Sequence, residues 1–210
     1  MASIYEAEWA RQRARAHLPP GHLPVHRWYL RMERPDERAS PAPRDGLAVI
    51  RAGRPTVAFY RFLYHTAGEE WLWGDRRRMD DETLAAKIGR ATTHIMVLYR
   101  DGTPAGFYEL DDAAGIGGEE AVALNYFALL PHAIGGGLGS WMLDHAIADA
   151  GSRRRPLLVD TCSLDHPHAL ENYRARGFAI HREEDEIYPD PRLDGTIRRD
   201  AGSHVPLASR

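Results

Sequence analysis

Apolar and polar positions along the chain fall into short runs with two different periods. Residues 25–33 read as a first strand, although their alternation is poor. Pro35, Pro41 and Pro43, set among charges, mark residues 34–46 as a surface loop. A helix is predicted from Thr56, carrying Phe59, Tyr60, Phe62 and Tyr64, and residues 71–76 form a loop dense in aromatics. A second helix, 81–89, opens on Asp81 and Glu82, acids that suit a helix N-terminus. Residues 95–99 and 104–110 read as strands about Asp101-Gly102, a pair that favours a hairpin because both positions accept positive φ. Residues 113–120 are a glycine-rich turn, and 121–130 form the next strand.

The second half changes period. Leu143, Ala146, Ile147 and Ala150 fall on one helical face, as expected of a helix packed on a sheet. Residues 157–162 are continuously apolar but for Asp160 and Thr161 and read as a buried strand, parallel to 121–130. A helix over 167–176 is stopped by Gly177, and Phe178 starts a last strand. Consecutive strands followed by a strand–helix–strand–helix–strand ending predict an α+β fold, a mixed central sheet flanked by helices. The expected organisation is an N-terminal extension over 1–24, a single domain over 25–187 and a polar, prolyl tail over 188–210.

Bulk composition narrows the functional classes. With 210 residues, 43% of them apolar and 27% charged, the chain has the makings of one globular domain. A net charge of −3 argues against nucleic acid as the main partner. No apolar run is long enough to span a bilayer, and residues 1–18 lack the apolar core of a signal peptide. The single cysteine, Cys162, reads as a small buried hydrophobe, and a cytoplasmic location is the default.

The most informative stretch is the one in which strand 121–130 hands over to a helix through Gly135, Gly136, Gly137 and Gly139. Bare backbone there admits a ligand closely, and the first N–H groups of the helix lack internal partners. No acid stands nearby before Asp144. This is the chemistry of a phosphate or pyrophosphate cradle. A nucleotide-triphosphate loop is excluded, because Gly139 is followed by Ser140 and Trp141 rather than Lys and Ser or Thr. A dinucleotide fingerprint, Gly135-x-Gly137-x-x-Ser140 with Asp160 as ribose ligand, is a weaker match, since Pro131-His132-Ala133-Ile134 intervenes after the strand. A glycine-rich turn without a ligand is the remaining reading of the loop.

A third set of residues goes further. Phe127-x-Leu129-x-Pro131, then Gly137-Leu138-Gly139, then Asp165-His166-Pro167-His168-Ala169 through Tyr173 to Gly177-Phe178, resembles the GNAT superfamily of acetyl-CoA-dependent N-acetyltransferases over residues 25–185. The resemblance implies a GNAT-like fold and transfer of an acetyl group from acetyl-CoA to a primary amine, by direct attack in a ternary complex. It implies that backbone at Phe127, Ala128 and Leu129 meets the pantetheine arm and the thioester. The backbone of Gly135, Gly136, Gly137, Leu138, Gly139 and Ser140 would hold the pyrophosphate, and Tyr173 would protonate the leaving thiolate. A homodimer is expected only by family analogy.

Three departures from the family pattern alter the chemistry. Ile134 stands where the family usually has Gln or Arg, and His166 stands where an Asn reaches the pantetheine; His166 either donates through a ring nitrogen or caps the helix. Ala123 occupies the place of a general-base Glu. Glu109, on the neighbouring strand, is the candidate replacement, with Asn125 holding a water or the amine. Ala123 also raises the alternative of a non-catalytic acyl-CoA-binding or regulatory module. Trp71, Trp73, Tyr60 and Tyr64, with Asp75 near them, are expected to wall the acceptor site, suiting an apolar or cationic small-molecule or peptide amine. No metal is expected: Asp165, His166 and His168 lack a further ligand cluster.

Overall fold

The computed structural model describes residues 18–35, 38–113 and 120–209. Its strands are β1 (His22–Met32), β2 (Leu47–Arg51), β3 (Thr93–Arg100), β4 (Thr103–Asp111), β5 (Val122–Leu129), β6 (Leu157–Cys162) and β7 (Ala179–Pro189). Its helices are α1 (Val57–Gly68), α2 (Asp81–Ile88), α3 (Leu138–Gly151) and α4 (Ala169–Ala175). Asp101 and Gly102 take φ of 51° and 79°, the two positive values that a two-residue hairpin between β3 and β4 demands. Side-chain caps start the first two helices: Thr56 accepts from the Phe59 N–H at 3.2 Å, and Asp80 from the Thr83 N–H at 2.7 Å. Each such cap contributes about 1 kcal/mol.

The seven strands form one mixed sheet in the order β2-β3-β4-β5-β6-β1-β7. Every neighbouring pair is antiparallel except β5 and β6. The first strand of the chain is therefore inserted between the sixth and the seventh, where Arg27 lies opposite Cys162 on one side and Glu184 on the other. Local alternation carries no information about so distant a pairing. The edge strand β2 is also absent from the sequence reading; it is five residues long and leaves Ile50 54% exposed, so its burial pattern is weak.

Two irregularities shape the site. The β4–β5 register slips between Glu109 and Leu110, which face Tyr126 and Leu124, leaving Asn125 as the extra residue of a bulge. The parallel β5–β6 ladder covers only Val122–Leu124 against Leu157–Val159; beyond it the two strands part, β5 staying paired with β4 and β6 with β1.

Helices cover both faces. Leu143, Ala146, Ile147 and Ala150, the predicted stripe of α3, are buried against Tyr108, Leu124, Leu157 and Val159. On the other face, Tyr60, Leu63 and Leu84 from α1 and α2 pack on Val97, Phe107 and Ala128. Fully burying each such aliphatic side chain stabilises the fold by roughly 1.5–3 kcal/mol.

The terminal boundaries differ from expectation. β1 begins at His22, inside the segment read as an extension, and residues 1–17 lie outside the described residues. The segment read as a tail is packed: Ile197, Ala201, Val205 and Ala208 are buried against Leu23, Val25, Leu72 and Cys162. Arg192 holds this segment in place, pairing with Asp190 at 2.8 Å and donating to the carbonyls of Val205 and Pro206 at 2.8 and 3.0 Å.

Candidate active site

Gly135, Gly136 and Gly137 follow the 3-10 turn Pro131–Ala133 with φ of 102°, 61° and 74°. A Cβ at any of the three would meet nothing within 4 Å, so glycine is required by backbone conformation while the space above the loop stays open. Gly137 is the N-cap of α3, with no capping side chain and no acid in the first turn. Unpartnered N–H groups and the positive end of the helix dipole thus face that space. The Ser140 hydroxyl donates to Asn172 Oδ1 at 3.1 Å and ties the start of α3 to α4.

The loop opens onto a cavity of about 890 Å³ that follows the parting of β5 and β6. Asn125, Phe127, Ala128, Leu129, Gly135, Gly137, Gly139, Ser140, His166 and Tyr173 all line it. Gly136, exposed like Gly135 and Gly137, does not line the cavity, and the Leu138 side chain is buried in the core. Asn172, which sequence reading passed over, also lines the wall.

Tyr173 stands on α4 with its ring centroid 6.2 Å from that of Phe127 and 5.7 Å from that of Phe178. Its side chain is 5% exposed, and among the described residues its hydroxyl makes no hydrogen bond. Burial, helped by the charges of Asp165 and Asp160, pushes its pKa far above that of an ordinary phenol. It is therefore a proton donor throughout the physiological range. His166 Nδ1 accepts the His168 N–H at 3.2 Å, which assigns the ring proton to Nε2. Burial, then the neighbouring His168 and His204, lower its pKa and keep the ring neutral.

The part of the cavity expected to take the acceptor is aromatic. Trp71, Trp73, Tyr64 and Asp75 line it, as does Tyr126, whose ring centroid lies 5.1 Å from that of Tyr64 and 5.2 Å from that of Trp73. Gly68 makes room for Trp73, since a Cβ there would come within 2.6 Å of the indole. Tyr60 departs from the expected wall. It is fully buried in the core, with its hydroxyl donating to Glu109 Oε2 at 2.7 Å.

Glu109 is likewise placed behind the wall. It is 1% exposed and does not line the cavity. Oε1 accepts from Arg76 at 2.6 Å and from Asn125 Nδ2 at 3.3 Å, while Oε2 takes the Tyr60 hydroxyl. With both oxygens committed, the carboxylate anchors the 71–76 loop and the bulge of β5. Asn125 itself is exposed at the bulge and faces the cavity.

Sequence reading missed a charged group on the third side of the cavity. Arg27 of β1 binds both oxygens of Glu186 on β7, at 2.9 and 3.1 Å, and contacts Asp160 Oδ2 on β6. The available signal was a lone carboxylate within the apolar strand Leu157–Cys162. Asp160 is thus paired with an arginine, which leaves the ribose-ligand reading without support. Cys162 is 7% exposed with its thiol pushed up by burial, in keeping with a small buried hydrophobe. Among the described residues no group of three or more His, Cys, Asp or Glu is arranged to hold a metal ion.

Comparison with known proteins agrees with this geometry. The model of the acetyltransferase (GNAT) family matches residues 56–178, more than half of the chain. A functionally unknown conserved protein from Staphylococcus epidermidis ATCC 12228 superposes with a TM-score of 0.56 at 14% identity, over 90% of this chain and 69% of that one. A GCN5-related N-acetyltransferase from Kribbella flavida gives 0.54 at 15% identity, over 83% and 63%. A tandem GNAT protein from the clavulanic acid biosynthesis pathway gives 0.53 at 16% identity, over 87% and 57%. The chain thus spans roughly three fifths to two thirds of the length of these proteins, and at such identities the likeness is one of fold. No curated protein matches the chain. With its mixed sheet, glycine loop and matched segment, the chain belongs to the GNAT acetyltransferase family.

Proposed function

We propose that the protein transfers an acetyl group from acetyl-CoA to a primary amine by direct attack within a ternary complex. Membership of the GNAT family supports acyl transfer in general. The finer reading rests on one observation: the buried Tyr173, its hydroxyl unpaired among the described residues, lines the same cavity as the glycine loop. A non-catalytic acyl-CoA module, the alternative raised by Ala123, gives that hydroxyl no task.

The residues fit an acyl-CoA in three ways. Three successive left-handed glycines with open space above them admit a pyrophosphate to bare N–H groups. The stretch of β5 from Phe127 to Leu129, paired to β4 on one side but free on the side toward β6, offers backbone to the pantetheine arm and to the oxyanion of the thioester. His166 Nε2–H supplies a donor where the family carries Asn. The Tyr173 phenol gives its proton to the departing thiolate, and Asn125, held by Glu109, orients the amine or a water. The aromatic half, with Asp75, suits an apolar or cationic amine. A cytosolic setting, in which the lone Cys162 stays reduced, fits this reading. No helix among the described residues is long and apolar enough to cross a membrane.

The cofactor side is tested by Gly137→Val. A β-branched residue at φ 74° is strained and projects into the open space where the phosphates would lie. Calorimetry on the folded variant is expected to show acetyl-CoA binding weakened by at least about tenfold, the equivalent of roughly 1.4 kcal/mol. Unchanged affinity would remove the loop from the site.

A further inference from the structure

The acceptor amine arrives with a proton too many. An ordinary amine, with a pKa of about 10.4, is almost wholly ammonium at neutral pH and has no lone pair to attack with. Ala123 accepts no proton, and Glu109 is committed behind the wall. We propose that Asp160 is the general base, its free Oδ1 taking the ammonium proton at the point where β5 and β6 part. This assignment rests on the acetyl transfer proposed above.

Position is the first argument. The last paired residues of the β5–β6 ladder are Leu124 and Val159, so the next residues along the two strands are Asn125 and Asp160. Both line the cavity. Tyr173 lines the same cavity from α4, so proton acceptor and proton donor open onto one space.

Availability is the second. Four carboxylates line the cavity: Asp75, Asp160, Asp165 and Glu186. Asp165 Oδ2 takes the Thr161 hydroxyl and the Cys162 N–H, both at 2.9 Å, and Oδ1 takes the Trp73 indole at 3.4 Å. Both oxygens of Glu186 are held by Arg27. Asp75 is exposed on its loop and holds the Tyr188 hydroxyl at 3.1 Å. Asp160 commits only Oδ2, to Arg27; among the described residues Oδ1 accepts no hydrogen bond.

The surroundings suit the task. Burial raises the pKa of the Asp160 carboxyl, Arg27 from β1 pulls it back, and Asp165 and Glu186 push it up again. Tyr29, opposite Asp160 on β1, has its hydroxyl 3.3 Å from both Glu184 and Glu186, and Tyr173 on α4 lines the same cavity. Because the shift is upward, the carboxylate works above its raised pKa and is lost as pH falls through it.

The transfer balances. Asp160 takes one proton from the ammonium and passes it to solvent. The neutral nitrogen forms a bond to the thioester carbonyl carbon, and the C–S bond breaks. The thiolate takes the Tyr173 phenolic proton, and the second proton, shed by nitrogen as the amide forms, restores the phenol. One ammonium and one acetyl-CoA give one amide, one CoA thiol and one proton.

The test compares Asp160→Asn with the wild type, using benzylamine, tryptamine and putrescine as strongly basic probes and hydroxylamine as one already unprotonated at neutral pH. With the basic amine that the wild type acetylates fastest, the variant is expected to lose roughly 100- to 10,000-fold in kcat at pH 7. Its rate should climb about tenfold per pH unit, following the free-amine fraction. With hydroxylamine the loss should be slight, and acetyl-CoA affinity measured by calorimetry should not change. Equal losses for both kinds of amine, or a variant pH profile parallel to that of the wild type, would overturn the assignment. A wild type that binds acetyl-CoA but acetylates none of the probes would instead overturn the acetyl-transfer reading, and the base with it.

Discussion

Replacing Tyr173 by Phe is expected to lower turnover by roughly 100- to 10,000-fold while leaving acetyl-CoA affinity nearly unchanged. The ring packs between Phe127 and Phe178, and those contacts survive the substitution. Only the hydroxyl is lost, and it makes no hydrogen bond among the described residues that the fold would miss. The phenol's pKa is raised, so its proton stays in place as pH rises through the neutral and mildly alkaline range. The deficit of the variant should accordingly be constant with pH, unlike that of Asp160→Asn. Steady-state rates from pH 6 to 9 with calorimetric acetyl-CoA titrations separate the two terms. Full activity in Tyr173→Phe would mean that the thiolate leaves unaided and that Tyr173 only fills space.

Glu109→Gln is expected to act mainly on stability. Arg76 and Glu109 are 2% and 1% exposed and meet at 2.6 Å, so the substitution leaves a guanidinium buried without its counter-charge. Breaking such a pair from one side costs about 3–5 kcal/mol, a fall in Tm of roughly 6–20 °C for a domain of this size. Replacing both partners by apolar residues, Arg76→Met with Glu109→Leu, should recover much of that loss. Activity should still suffer in the double variant, because the Asn125 amide loses its acceptor. Kinetics carry the discrimination: a base is bypassed as pH rises, whereas a positioning residue is not. A Glu109→Gln variant of unchanged Tm whose rate recovers at pH 9 would return the base to Glu109.

The contrast between Glu109 and Asp160 shows what the chain discloses by itself. The Asp101-Gly102 hairpin, the α3 stripe and the glycine loop were legible because each depends on neighbours within a turn or two. The parallel pairing of β5 with β6 followed from the helix between them. Tyr173 was legible through the family resemblance that its spacing from Ala169 and Gly177 helps to carry. The expected neighbouring of strands placed Glu109 beside β5 but was blind to Arg76, which comes from a loop 33 positions away and takes the carboxylate out of play. Asp160 entered the sequence reading only as a ribose ligand of the weaker dinucleotide match. Its partner Arg27 lies 133 positions away, in a strand threaded between β6 and β7, and no local pattern announces that insertion. The 188–210 segment looked like a tail because Ile197, Ala201, Val205 and Ala208 sit among prolines and glycines with no strand alternation, yet Arg192 gathers them onto the domain.

The central claim, acetyl transfer to an amine, is tested most directly by following both products together. The full chain is incubated with acetyl-CoA and a panel of primary amines, free thiol is measured, and the amine is weighed by mass spectrometry. The expected result is CoA thiol and N-acetylated amine in equal amounts, with initial-rate lines that intersect as both substrates are varied, as a ternary complex requires. Saturable acetyl-CoA binding with no amide formed from any amine would contradict it and leave a module that binds acyl-CoA without transferring the acyl group.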